Sequence, residues 1–148
     1  MLAPGIIYPF DQSEWASPMV VHLKKHDSTK LQICVDFREL NKVTLTNPFP
    51  TPYVDEILNE FAGHECYSFT EGFSEYNQVP IAKEDQKKTT FVSEFKSFAY
   101  RVMPFGLKNA PTVFSRIVVK TFQEYIYKTM ALYFNDWMIY SMLKDRCK

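Results

Sequence analysis

Apolar and polar positions alternate along this chain with two periods, and the switches between them mark the elements. Met19 to Lys25 and Leu31 to Val35 are apolar-rich runs around the polar stretch His26-Asp27-Ser28-Thr29-Lys30, a pattern that predicts a β-hairpin. Before it, Pro4, Gly5, Pro9 and Pro18 predict an extended, irregular start. Pro48, Pro50 and Pro52 make an extended connector, with Thr51 as N-cap and Pro52 at the first helical position of the next element. Val54, Ile57, Leu58 and Phe61 then recur at helical spacing, and Gly63 closes that helix. From Cys66 to Glu71 the period becomes two, with Tyr67, Phe69 and Glu71 sharing one face of a strand.

Thr89 to Phe95 and Phe98 to Met103 predict a further strand pair. Asn109 reads as the cap of a second helix, with Pro111 in its first turn. Its apolar stripe runs through Phe114, Ile117, Val118, Thr121, Phe122, Tyr125 and Ile126. Ala131 to Phe134 and Trp137 to Tyr140 flank Asn135-Asp136 as a strand, a two-residue turn and a strand. Strands and helices mix without regular alternation, which predicts an α+β fold.

Composition changes this picture little. The 148 residues suffice for one domain with a core, and 46% hydrophobic with 23% charged residues is ordinary globular composition. The 16% aromatic share is high and suits an aromatic core, base-stacking surfaces or both. Zero formal net charge removes any global electrostatic argument for nucleic acid. Lys24, Lys25, Lys30, Arg38 and Lys42 cluster early, which by itself reads as a solvated surface. Three widely spaced cysteines (Cys34, Cys66, Cys147) fit neither a disulfide framework nor a zinc site and point to a reducing compartment. His22 and His26 flank a strand and loop, which argues against a metal role. No apolar run has membrane-spanning length, and the N-terminus does not read as a signal peptide.

The candidate chemistry rests on Glu71, at a strand end, and Asp136, at a hairpin tip. If their strands are neighbours, the two carboxylates converge, and like charges so placed call for a cation. An all-oxygen donor set suits magnesium, and two such ions can activate an attacking hydroxyl and stabilise a leaving phosphate. The same two acids also read as solvated surface residues, and the pattern alone does not decide between the readings.

Longer motifs bear on that choice. Met103-Pro104-Phe105-Gly106-Leu107-Lys108-Asn109-Ala110-Pro111 resembles the PFGLxNAP run of gypsy-type LTR retrotransposon reverse transcriptases. Its companions keep the family's order and spacing along nearly the whole chain. They are Gly5 to Pro9, Ser13 to Pro18, Val35 to Lys42, Ala62-Gly63-His64, Gly72-Phe73-Ser74, Tyr76-Asn77-Gln78 and Glu84 to Phe91. The wording is most similar to plant elements.

The resemblance implies the fingers and palm of a right-hand polymerase without its thumb. Fingers would cover about 1–63 and 79–104, and palm about 64–78 and 105–148. It also implies RNA-directed DNA polymerase activity, with Glu71, Asn135 and Asp136 as catalytic and metal-binding positions for two magnesium ions. Lys25, Gln32, Gly72, Tyr76, Phe105 and Gly106 fall on nucleotide-binding positions, and Asn109, Pro111 and Tyr133 on template or primer positions. The implied partners are a template-primer of RNA or DNA, a deoxynucleoside triphosphate, and the RNase H and integrase parts of a pol polyprotein. No membrane partner is implied. The implied location is a cytoplasmic retroelement particle or the nucleus, not secretion.

Three positions depart from the family. Glu71 stands where Asp is expected, which moves the carboxylate outward by one methylene; magnesium wants ligands at ~2.0–2.1 Å in near-octahedral geometry. Asn135 stands where the first Asp of the turn is expected and removes a charge. Gln32 replaces a triphosphate-binding Arg and cannot form its charged bidentate clamp. Glu75 stands where Gly is usual. These departures predict impaired or absent polymerase activity. The alternatives are a non-catalytic nucleic-acid-binding module and a decayed retroelement fragment.

Overall fold

The structure is a computed structural model that describes residues 5–24, 27–50, 54–126, 128–133 and 136–141. In chain order the elements are β1 (Ile7–Pro9), β2 (Ser17–Lys24), β3 (Asp27–Val35), α1 (Arg38–Val43), α2 (Val54–Phe61), β4 (Cys66–Glu71), α3 (Lys83–Gln86), β5 (Phe91–Val92), β6 (Ser97–Tyr100), α4 (Ala110–Phe122), β7 (Met130–Tyr133) and β8 (Asp136–Ser141). Short 3-10 turns cover Glu75–Gln78 and Lys87–Thr89. The fold is α+β, and it forms two compact units. Unit 1 comprises Met1–Thr46 and Tyr76–Ala110, and unit 2 comprises Asn47–Glu75 and Pro111–Lys148. Among the described residues no helix is long and apolar enough to cross a membrane.

Unit 1 is built on a five-stranded sheet of order β1-β6-β5-β2-β3. The predicted hairpin is present, with Val21 opposite Ile33 and Leu23 opposite Leu31. Its second strand starts earlier than the polar run suggested. β3 begins at Asp27, which stands opposite Lys24, and a register shift between Leu23 and Lys24 takes up Ser28 to Lys30. The irregular start also contributes a strand, since Ile7 to Pro9 pair with Phe98 to Tyr100.

The strand predicted from Thr89 to Phe95 shrinks to Phe91–Val92. The hydroxyls of Thr89 and Thr90 donate to the carbonyls of Gln86 and Lys87, so side chains hold that segment in a turn. Downstream, Ser93 closes a tight turn with Lys96 through both its amide and its hydroxyl. The core is aromatic: Phe91 packs on Phe98 and Tyr100 with ring centroids 5.9 and 5.3 Å apart, and Phe37 meets Tyr100 edge-on.

Unit 2 holds a three-stranded antiparallel sheet of order β4-β8-β7. Helix α2 lays Ile57 against Ala131, Tyr140 and Met138. Gly63 follows that helix with φ +100°, the left-handed closure expected of it. The proposed cap at Thr51 and Pro52 lies outside the described residues. In α4, Phe114 and Val118 are buried, and Phe122 meets Trp137 with ring centroids 5.5 Å apart. This helix ends at Phe122, one turn before the apolar stripe does. Beyond it the amides of Lys128, Thr129 and Met130 converge on the Tyr125 carbonyl, a turn that leads into β7.

Candidate active site

The acidic pair comes from strand register in unit 2. Pairing of β4 with β8 sets Glu71 directly opposite Asp136, while pairing of β7 with β8 sets Tyr133 opposite Asp136. Cross-strand partners share a face, so both carboxylates and the Tyr133 ring emerge on one side at the same end of the sheet. Phe69 and Met138 are the next pair on that face. A cavity of about 550 Å³ opens there, lined by Leu58, Phe69, Tyr133 and Trp137, with Glu71 and Asp136 contributing its acidic wall.

A third carboxylate, in the turn after β4, feels the charges of both. Glu75 is only 5% exposed, and its Oε2 has no hydrogen-bond partner. Burial, then the charges of Glu71 and Asp136, push its carboxyl above the usual carboxylate range. Gly72 makes room for it, because a Cβ there would fall 2.8 Å from Glu75 Cγ. The turn also places Ser74 at φ 51°, a left-handed conformation uncommon outside glycine. Among the described residues no three His, Cys, Asp or Glu side chains are already gathered tightly enough to hold an ion. The donors that Glu71 and Asp136 offer are nonetheless all oxygen and all negative, which suits one hard divalent cation. An orphaned buried carboxylate oxygen beside them fits the same demand.

A second group of candidates lies in unit 1. Tyr76 is buried, and its ring meets the half-exposed Phe105 edge-on, with centroids 4.8 Å apart. Gly106 has φ +93°, which explains glycine at this position. A Cβ there would lie 3.6 Å from Phe37, an ordinary contact, so conformation rather than crowding sets the requirement.

Asn41 clamps this loop. Its Nδ2 donates to the Gly106 carbonyl at 2.7 Å, and its Oδ1 accepts the Lys108 amide at 2.7 Å. Lys108 Nζ donates to the Thr44 carbonyl, and Asn109 Nδ2 to that of Leu45. The Asn109 amide is therefore engaged with the chain after α1, a tie that its reading as a helix cap did not include.

The other candidates are dispersed. Gln32 is exposed on β3, the outer strand of its sheet, opposite His22. Pro111 occupies the first turn of α4, as expected. Lys25 and Asn135 lie outside the described residues. Two residues of the site had no assigned role in the sequence reading. Asn41 stood inside the Val35 to Lys42 motif, and Glu75 was noted only as a departure; neither carries a local signal for the contact it makes.

Comparison with known proteins gives consistent results. Residues 23–148 match the family model described as reverse transcriptase (RNA-dependent DNA polymerase). The chain is 38% identical over 115 residues to an RNA-directed DNA polymerase homolog of Oenothera berteroana, covering 78% of this chain and 81% of that protein. It is 31% identical over 144 residues to the retrovirus-related Pol polyprotein from transposon 297 of Drosophila melanogaster, and 30% over 145 to that from transposon gypsy. These matches cover 95% of this chain but only 14% of either polyprotein. Among solved structures, the foamy viral protease-reverse transcriptase dRH in complex with double-stranded DNA superposes with a TM-score of 0.82 at 21% identity, over 95% of this chain and 24% of that one. The foamy viral protease-reverse transcriptase in complex with an RNA/DNA hybrid gives 0.81 at 20%, over 93% and 18%.

Proposed function

This chain belongs to the reverse transcriptase family of RNA-directed DNA polymerases, and from that premise we propose that it is the fingers-and-palm portion of a gypsy-type retrotransposon polymerase with impaired activity. The observation that carries this reading is the Glu71–Asp136 register pair, which sets two carboxylates opposite each other at the end of a sheet. On this reading residues of about 1–63 and 79–104, α2 excepted, serve as fingers, and the rest as palm. The packing of Ile57 on Ala131 and Tyr140 favours counting α2 with the palm.

The reaction is attack of a primer 3′-hydroxyl on the α-phosphorus of a deoxynucleoside triphosphate, with pyrophosphate leaving. Glu71 and Asp136 would hold magnesium, with Asn135 offering one neutral oxygen. When bound, the ion lowers the pKa of the attacking hydroxyl and stabilises charge on the leaving group. Tyr76, Phe105 and Gly106 take the nucleotide, with Gly72, Lys25 and Gln32 as its further contacts. Asn109, Pro111 and Tyr133 face the template-primer. RNase H and integrase parts would be neighbours in a longer polyprotein, within a cytoplasmic particle or the nucleus.

Impairment follows from charge and reach. Two carboxylates would balance one divalent cation, and the neutral Asn135 would add no charge toward a second. Positioning errors of about 1 Å cost roughly 100-fold in rate, and loss of one charge-stabilising group costs a similar factor. Primer extension on an RNA template tests this. The parent chain should extend feebly with magnesium, and the combination E71D, N135D and Q32R should gain at least ~100-fold. Parent activity equal to that of the triple variant would refute the reading.

Retained binding without catalysis is a second reading, favoured by the cavity beside Phe69 and Tyr133, an apolar surface of a kind on which bases stack. It predicts template-primer affinity that falls steeply with salt while extension stays absent.

A further inference from the structure

We propose that Glu75 is the third carboxylate of a divalent-cation site completed by Glu71 and Asp136, standing in for the charge that Asn135 lacks. This inference rests on the cation-binding reading of the Glu71–Asp136 pair.

The placement of Glu75 is unusual for a structural acid. Acids this deeply buried are normally met by a cation, a helix N-terminus or several donors. Glu75 opens a 3-10 turn of only four residues, and its Oε2 has no hydrogen-bond partner although the residue is 5% exposed. Its neighbours add to the cost, because the nearby charges are Glu71 and Asp136, both negative. A buried carboxylate oxygen without a partner, in the field of two other acids, is an electrostatic arrangement that a bound cation reverses. The backbone is shaped to keep it there. Gly72 leaves open the space that Glu75 Cγ occupies, and Ser74 takes a left-handed φ in the turn between them. The three carboxyls are not yet gathered into ligating geometry, so the ion must draw them together. Glu75 has the flexible side-chain torsions to make that move, whereas the positions of Glu71 and Asp136 are set by the strand ladder.

Titration of the intact chain with Mn2+, followed by electron paramagnetic resonance and by thermal unfolding, tests the inference without any need for catalysis. The parent should bind one ion and unfold at a higher temperature when loaded. E75Q keeps the shape and removes the charge. It should weaken Mn2+ binding at least 10-fold and lose most of the ion-induced rise in Tm, while its ion-free Tm equals or exceeds the parent's. D136N serves as the reference and should also lose binding. If E75Q binds Mn2+ as the parent does while D136N does not, Glu75 is no ligand and only the inference fails. If the parent binds no Mn2+, the inference and the reading beneath it fail together. Should E75Q not fold, E75D decides: a carboxyl set back by one methylene should weaken binding measurably, and affinity equal to the parent's would overturn the role.

Discussion

Glu71 and Asp136 face each other across adjacent antiparallel strands, the closing pair of the β4–β8 ladder. Like charges directly opposite in a sheet are destabilising, by a magnitude of roughly 0.2–1 kcal/mol. The pair is therefore a cost that the ion-free fold bears. D136N should raise ion-free stability by about that amount, read as a higher denaturation midpoint at unchanged slope. A loss of stability instead would mean that Asp136 has a structural partner and that repulsion is not the governing term.

Asn41 should be a stability hot spot out of proportion to its exposure. It makes two short hydrogen bonds to backbone groups on either side of Leu107. Removing both by N41A should cost about 1–3 kcal/mol, by the ordinary worth of such bonds. N41D keeps the acceptor for Lys108 N but loses the donor to Gly106 O, so it should fall between. Chemical denaturation of the three chains checks the order parent, N41D, N41A.

Gly106 offers a cleaner test of conformation against packing. With φ +93° and no close neighbour, G106A meets backbone strain and little steric conflict. The expected loss is about 1–2 kcal/mol, the usual penalty for an L residue in left-handed backbone. An unchanged midpoint would show that the loop relaxes to negative φ at no cost.

The Asp36–Arg38 pair predicts a pH dependence of defined sign. Asp36 accepts from Arg38 Nε, Nη2 and the backbone amide, and the Arg38 side chain, then that amide, hold its carboxyl below the usual range. Between the folded and unfolded values only the unfolded chain binds the proton. The contribution is thus complete above the usual Asp range and disappears as pH falls through the folded value. D36N should lower Tm at neutral pH and should flatten the acid limb of a Tm-against-pH curve. An acid limb identical to the parent's would show that this surface pair contributes nothing measurable, as many exposed pairs do.

The sequence by itself determined the elements whose signal is local. Alternation of Tyr67, Phe69 and Glu71 marked β4, helical spacing of Val54, Ile57 and Leu58 marked α2, and the run from Met103 to Pro111 carried the family. Periods of 2 and 3.6 are set by neighbouring residues, so they can be read from neighbours. Where side chains competed with the ladder the reading failed: Thr89 and Thr90 tie back to Gln86 and Lys87 and cut β5 short. Helix α1, six residues long, passed unseen because it is too short to show a period.

Tertiary structure alone decided the register that sets Glu71 against Asp136, the burial of Glu75 behind Gly72, and the Asn41 clamp on the loop from Gly106 to Lys108. Register and clamp join residues far apart in the chain, and the burial of Glu75 depends on the fold around it. Strand partners and enclosure arise from packing summed over the whole fold, and no nearest-neighbour pattern records them.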